Sequence, residues 1–210
     1  MKKLGEISEA NFVSKIYEDG DGRVYFTADA DIDADGANSQ HGEQPAYKAH
    51  DTGSDYLANG GMKRVAGRVI LAHDWGRDIV ILGSDGQPKV FADGLIASKT
   101  WYKYPGVNSG RPEAYVDSQT IPYIVVPPLI INGVKGIVCG CKARATYKGK
   151  SVDCVVADRG QKTKIGEVSI AAATALGIPS SPRNGGTNEP LIDYELWPGT
   201  AAAGFELQPA

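Results

Sequence analysis

Apolar residues along this chain fall in short runs broken by Gly, Asp, Asn and Pro, a pattern of many short strands and few helices. From the N-terminus, Ser8–Tyr17 reads as an amphipathic helix. Ser8 is its N-cap, and Phe12, Val13, Ile16 and Tyr17 form its apolar stripe. Gly20-Asp21-Gly22 ends it, and Val24–Thr27 is strand-like. An acidic loop containing Gly and Gln then runs from Asp29 to about Gly61. Strand patterns resume at Val65–Ala72 and Asp78–Leu82. After the turn residues Ser84-Asp85-Gly86 they continue at Lys89–Phe91 and Leu95–Ser98. Ile121–Val126, Ile130–Cys141 and Val152–Ala157 are further strands, with a hairpin turn at Lys148-Gly149. One alanine-rich helix, Val168–Leu176, is closed by Gly177 with Pro179 beyond. A loop from Ser180 to Pro190 leads to a last strand, Leu191–Trp197. The pattern predicts a mainly β single domain over 1–210, a barrel or a sandwich.

Composition narrows the partners. The 22 basic and 25 acidic residues give a net charge of −3, with no basic stripe, so nucleic acid is not an expected partner. No apolar run is long enough for a membrane span. Lys2 and Lys3 are not followed by an apolar run of signal-peptide length, so the expected location is cytoplasmic, or reached by a non-classical or phage-type release. The 26 glycines and 12 prolines fit a turn-rich fold. Cys139, Cys141 and Cys154 read as buried reduced thiols, although a Cys141–Cys154 bridge across the hairpin is geometrically conceivable.

Several chemistries fail on the residues available. His41, His50 and His73 lack zincin spacing, and there is no Gly-x-Ser-x-Gly elbow and no phosphate loop. A zinc site on the three cysteines would want a fourth ligand. Carboxylates remain. Asp31-Ile32-Asp33-Ala34-Asp35-Gly36 is like the front half of a calcium loop, but the twelfth position from Asp31 is Gly42 where a bidentate Glu is needed. The reading adopted needs no metal or cofactor, with calcium on Asp31, Asp33 and Asp35 as its alternative. Clustered like charges nonetheless repel unless something cationic approaches. The second acidic feature sets Asp158 at the end of the apolar run Val155-Val156-Ala157. A polar loop then returns the chain to Glu167 at the start of a helix. On spacing alone the two are either structural acids or a carboxylate pair facing one cleft.

Three blocks carry a resemblance: Asp31–Ala37, Tyr115–Val125 and Asp158–Ala172, in that order, with the closing Asp193–Thr200. Together they resemble glycoside hydrolase family 75, the endo-chitosanases. The resemblance implies a six-stranded double-psi-type barrel with a few short helices, and inverting endo-hydrolysis of β-1,4-linked glucosamine polymers. Asp158 and Glu167 map onto its catalytic carboxylates. Glu167 is then the acid and Asp158 the base, or the reverse, with a separation of about 6.5–9.5 Å for the attacking water. A helix N-terminus would lower the Glu167 pKa, against what an acid needs. Asp31, Asp33, Asp35 and Asp117 would face sugar ammonium groups, with Tyr123 and Trp101 also binding substrate. Trp75, Tyr102 and Trp197 are further stacking candidates. The alternatives are a peptidoglycan-active hydrolase of the same fold, and a non-enzymatic calcium- or polysaccharide-binding module.

Overall fold

A computed structural model describes residues 1–208. Its elements, in chain order, begin with β1 (Lys2–Ser8), β2 (Val13–Glu18), β3 (Val24–Asp33), β4 (Tyr47–Lys48), β5 (Met62–Val65) and β6 (Arg68–Leu71). The helix α1 (Gly76–Ile79), β7 (Leu95–Ile96), β8 (Tyr123–Val126) and the helix α2 (Pro128–Ile131) follow. The chain closes with β9 (Cys141–Tyr147), β10 (Lys150–Arg159), β11 (Glu167–Ser169), the helix α3 (Ile170–Leu176) and β12 (Thr187–Ala201).

Six strands close a barrel in the order β3-β11-β8-β10-β9-β12, and β12 returns to β3. Two neighbouring pairs are parallel, β3 with β11 and β8 with β10, and the other four are antiparallel. Closure removes the free edges an open sheet would expose. The expectation of a mainly β fold with a six-stranded barrel and few short helices is met. Inside, Phe26 stacks on Tyr194 at 4.9 Å between ring centroids, among buried Ala28, Ala143, Val156, Ile192 and Leu196. Small alanines on β3 and β9 make room for the two rings, as a narrow barrel requires. Tyr194 satisfies its buried hydroxyl by donating to the Asp29 carbonyl at 2.8 Å. A second apolar cluster around Tyr47, Leu57, Met62 and Ile96 supports the long insertion between β3 and β8. Among the described residues no helix is long and apolar enough to cross a membrane.

Several local expectations are corrected. Ser8–Tyr17 is no helix: Ser8 ends β1 and Val13–Tyr17 lies in β2, antiparallel to it. Burial there alternates, Val13 and Lys15 out, Ser14 and Ile16 in, so a two-residue period governs where the apolar spacing also fitted a helix. Val65–Ala72 is the second half of the β5–β6 hairpin, turned at Ala66-Gly67, both at positive φ (48° and 79°). Asp78–Leu82 begins in α1 and continues as isolated bridges from Val80 and Leu82. Ile130–Cys141 is mostly not strand. Pro127-Pro128 starts α2, since proline suits a first helical turn, and Cys141 instead opens β9. The loop placed from Asp29 starts later, because β3 runs to Asp33. The three cysteines are free and buried. In the β9–β10 hairpin Cys154 lies opposite Ala143, not Cys141.

Candidate active site

The site is built by the register of four strands. On β8, Val125 lies opposite Asp158 of β10 on one side and opposite Glu167 of β11 on the other. Glu167 in turn lies opposite Asp31 of β3. The row Asp158–Val125–Glu167–Asp31 therefore crosses the barrel wall at one level, and all four residues line the same cleft of about 1090 Å³. Asp158 reaches that level through a bulge, the β10 register slipping between Val156 and Asp158. The extra residue, Ala157, would otherwise stand where Asp158 stands. Two strand spacings of about 4.8 Å put the Asp158 and Glu167 backbones roughly 10 Å apart, with an apolar side chain between them.

Each acid is held differently. Asp158 is 6% exposed, and its Oδ1 accepts the backbone N–H groups of Trp101 at 3.0 Å and Arg159 at 2.7 Å. Burial, then the nearby Asp33, push its pKa well above the usual carboxylate range, against the pull of those two N–H groups. Glu167 is raised to about 8, first by burial and then by Asp33 and Asp31, with Lys164 opposing. It stands on strand β11 rather than at a helix N-terminus, because Ser169 is the cap of α3 and accepts the Ala172 N–H at 3.1 Å. The expected dipole lowering is therefore replaced by desolvation. Gly160 keeps the space beside Glu167 open: a Cβ there would lie 3.4 Å from Glu167 Oε2 and 3.2 Å from Val125 Cγ1.

The Asp31–Gly36 segment divides. Asp31 turns to Lys164, 2.7 Å from its Nζ. Asp33 and Asp35 turn inward, so that carboxylate oxygens of Asp33, Asp35 and Asp158 lie within 4.8 Å of one another. Asp33 Oδ1 accepts the Asp35 N–H at 2.8 Å in a tight turn. Gly36 completes that turn at φ 78°, where a Cβ would sit 1.8 Å from the Val116 carbonyl oxygen. The Asp33 pKa rises to about 6 and that of Asp35 rises well above the usual carboxylate range, both chiefly by burial. The three residues proposed for calcium from sequence thus do not converge; Asp158 takes the place of Asp31.

Trp101 lines the cleft, 51% exposed, with the Arg159 guanidinium 4.4 Å over its ring. Trp75, 48% exposed, also lines it. Tyr123 lies behind the cleft, fully buried, its hydroxyl donating to the Asp35 carbonyl at 2.9 Å. Asp117 does not line it. Its carboxylate accepts Gln119 N–H at 3.0 Å and Thr120 Oγ1 at 2.9 Å, folding its own turn. The next residue, Ser118, donates to the Asp33 carbonyl and accepts the Ile170 N–H, tying β3 to α3. Tyr102 is core and Trp197 lies on the far wall under Lys142.

The chain matches no protein-family model and no curated protein. Sequence reasoning missed Asp55, Tyr47, Asn59, Lys99 and Arg183, which also line the cleft. Asp55 is buried, accepting Asn59 Nδ2 at 2.7 Å and its neighbour's N–H. Its loop is clamped by Arg183, whose Nη2 donates to the carbonyls of Asp51, Gly53 and Asp55. No spacing rule joins residues 55 and 183; only the fold does. An open cleft with two desolvated carboxyls across from each other, Asp158 buried and Glu167 partly exposed, is suited to general acid–base chemistry on a neutral or cationic chain.

Proposed function

We propose that this cleft is the active site of an endo-acting glycoside hydrolase that cleaves β-1,4-linked glucosamine polymers with inversion. The observation that carries this reading is the position of Asp158 and Glu167 on either side of Val125 in one strand row. A spacing of about 10 Å between backbones lets the carboxyls stand the roughly 6.5–9.5 Å apart that an inverting pair requires. Glu167, still protonated near neutral pH, protonates the leaving glycosidic oxygen. In the free cleft burial and Asp33 hold Asp158 towards its protonated form against the pull of two backbone N–H groups; once ionised, it takes a proton from water attacking the opposite face of the sugar. A substrate ammonium approaching the acid cluster favours ionisation of Asp158, so binding itself readies the base. Asp33 and Asp35 are the acids that would meet such a group. Trp101 and Trp75 offer exposed faces for stacking against sugar rings.

A peptidoglycan substrate is the second reading, favoured by five cationic side chains in the lining: Lys99, Arg159, Lys162, Lys164 and Arg183. Four of them are engaged. Lys99 donates to the Arg77 carbonyl, Arg159 lies over Trp101 and donates to Asn132 Oδ1, Lys164 is paired with Asp31, and Arg183 is tied to three carbonyls. Seven acidic side chains line the same cleft against these five, and an arriving ammonium would favour their ionisation, which supports the glucosamine polymer. A reducing-end assay on chitosan and on purified peptidoglycan separates the two readings. Release from chitosan alone is expected; release from peptidoglycan alone overturns the substrate, and release from neither overturns the enzyme reading.

A further inference from the structure

We propose that Asp33, Asp35 and Asp158 form a binding site for one hard divalent cation of the calcium class. Three acids from two separate strands and a turn bring carboxylate oxygens within 4.8 Å of one another. A cation with oxygen ligands at about 2.3–2.6 Å spans up to about 5 Å between ligands on opposite sides, so oxygens this close can converge on one centre with small side-chain adjustments. An independent observation points the same way. Asp35 is 8% exposed, yet its Oδ1 has no hydrogen-bond partner among the described residues. A buried carboxylate oxygen without a donor carries a desolvation cost that a cation at the centre of the trio would offset.

The surroundings hold the ligands ready. Asp158 spends only Oδ1 on the backbone, receiving both N–H groups there, and Asp33 Oδ1 is fixed by the Asp35 N–H. The second Asp158 oxygen accepts no hydrogen bond among the described residues and is left for a ligand, the way outer hydrogen bonds orient metal ligands. Among the described residues no lysine or arginine nitrogen comes within ion-pair distance of any of the three. Asp31, by contrast, already has Lys164 and is not a ligand. The site therefore differs from the linear Asp31, Asp33, Asp35 set that the sequence suggests. Where Asp158 serves as a base, a cation on it blocks that role, so the ion would inhibit hydrolysis and not assist it.

The test is calorimetric titration of calcium chloride, with magnesium chloride in parallel, into the chelator-treated and desalted 210-residue chain. One equivalent of calcium is expected to bind and to raise the melting temperature. Asp35→Asn is expected to weaken binding at least about 10-fold. Asp31→Asn should leave it within about twofold, because its carboxylate faces Lys164. Absence of calcium and magnesium binding by the wild-type protein up to about 10 mM, beyond the weakest range of protein calcium sites, overturns the proposal. So does undiminished binding by folded Asp35→Asn, or loss confined to Asp31→Asn. No arm uses a polysaccharide, so the cation site and the hydrolase reading stand or fall separately.

Discussion

Glu167→Gln should make the folded protein more stable at neutral and alkaline pH while it removes the proposed acid. In the folded chain the Glu167 carboxyl is raised from 4.5 to about 8 by burial and by Asp33 and Asp31. Between those values the folded state binds more protons at this site than the unfolded state does. Stability therefore falls as pH rises through the window, and the loss is complete above about pH 8. At about 1.36 kcal/mol for each pKa unit, the unscreened cost is about 3 kcal/mol at pH 7 and about 5 kcal/mol above pH 8. Solvent reaching the partly exposed carboxylate screens this by about half, leaving about 2 kcal/mol above pH 8. Glutamine keeps the volume and has no charge to desolvate. For a chain of this length, about 2 kcal/mol corresponds to about 4–8 °C in melting temperature. The assay is thermal unfolding of both proteins in chelator-containing buffer at pH 5, 7 and 8.5. A stability difference that grows in favour of the variant with pH is expected. A difference that stays flat, or favours wild type more at pH 8.5 than at pH 5, is incompatible with a desolvated acid at this position.

Three further outcomes follow from the same geometry. Gly36→Ala should cost at least about 2 kcal/mol in chemical denaturation, since its Cβ would meet the Val116 carbonyl at 1.8 Å in a left-handed turn; an unchanged midpoint contradicts this. Lys164→Met should move the alkaline limb of the rate–pH profile upward by about one unit, because Lys164 opposes the raised Glu167 pKa; a downward shift contradicts it. Trp101→Ala should raise KM for chitosan about 10-fold with a smaller effect on kcat, as its ring is lost while its N–H to Asp158 remains; a loss confined to kcat speaks against stacking.

The fold class was legible because turn residues and short apolar runs recur along the whole chain, and the β9–β10 hairpin showed in its Lys148-Gly149 turn, both residues at positive φ (48° and 80°). The first hairpin was not. Phe12, Val13, Ile16 and Tyr17 satisfy a helical stripe over so few residues, and only pairing with β1 decides between the periods. Within the site, Asp158, Glu167, Asp31, Asp33, Asp35 and Trp101 were all named from sequence and all line the cleft. What the sequence could not show was how they divide. Lys164 draws Asp31 outward, and the bulge at Ala157 lifts Asp158 towards Asp33 and Asp35. Asp117 and Tyr123 were expected to bind substrate, yet they act as props: one folds a turn, and the other bonds the Asp35 carbonyl. Asp55 and Arg183 carried no local signal, because their contact exists only once the insertion folds against the barrel.

The sharpest test of Asp158 and Glu167 as an inverting pair is proton NMR of the first sugar anomer released from chitosan near pH 5–6. Wild-type protein should release the α-anomer from the β-linked polymer before mutarotation. Asp158→Asn and Glu167→Gln, each shown to be folded, should lower turnover at least about 10²-fold. Initial release of the β-anomer, or near-normal turnover by either folded variant, would rule the inverting pair out.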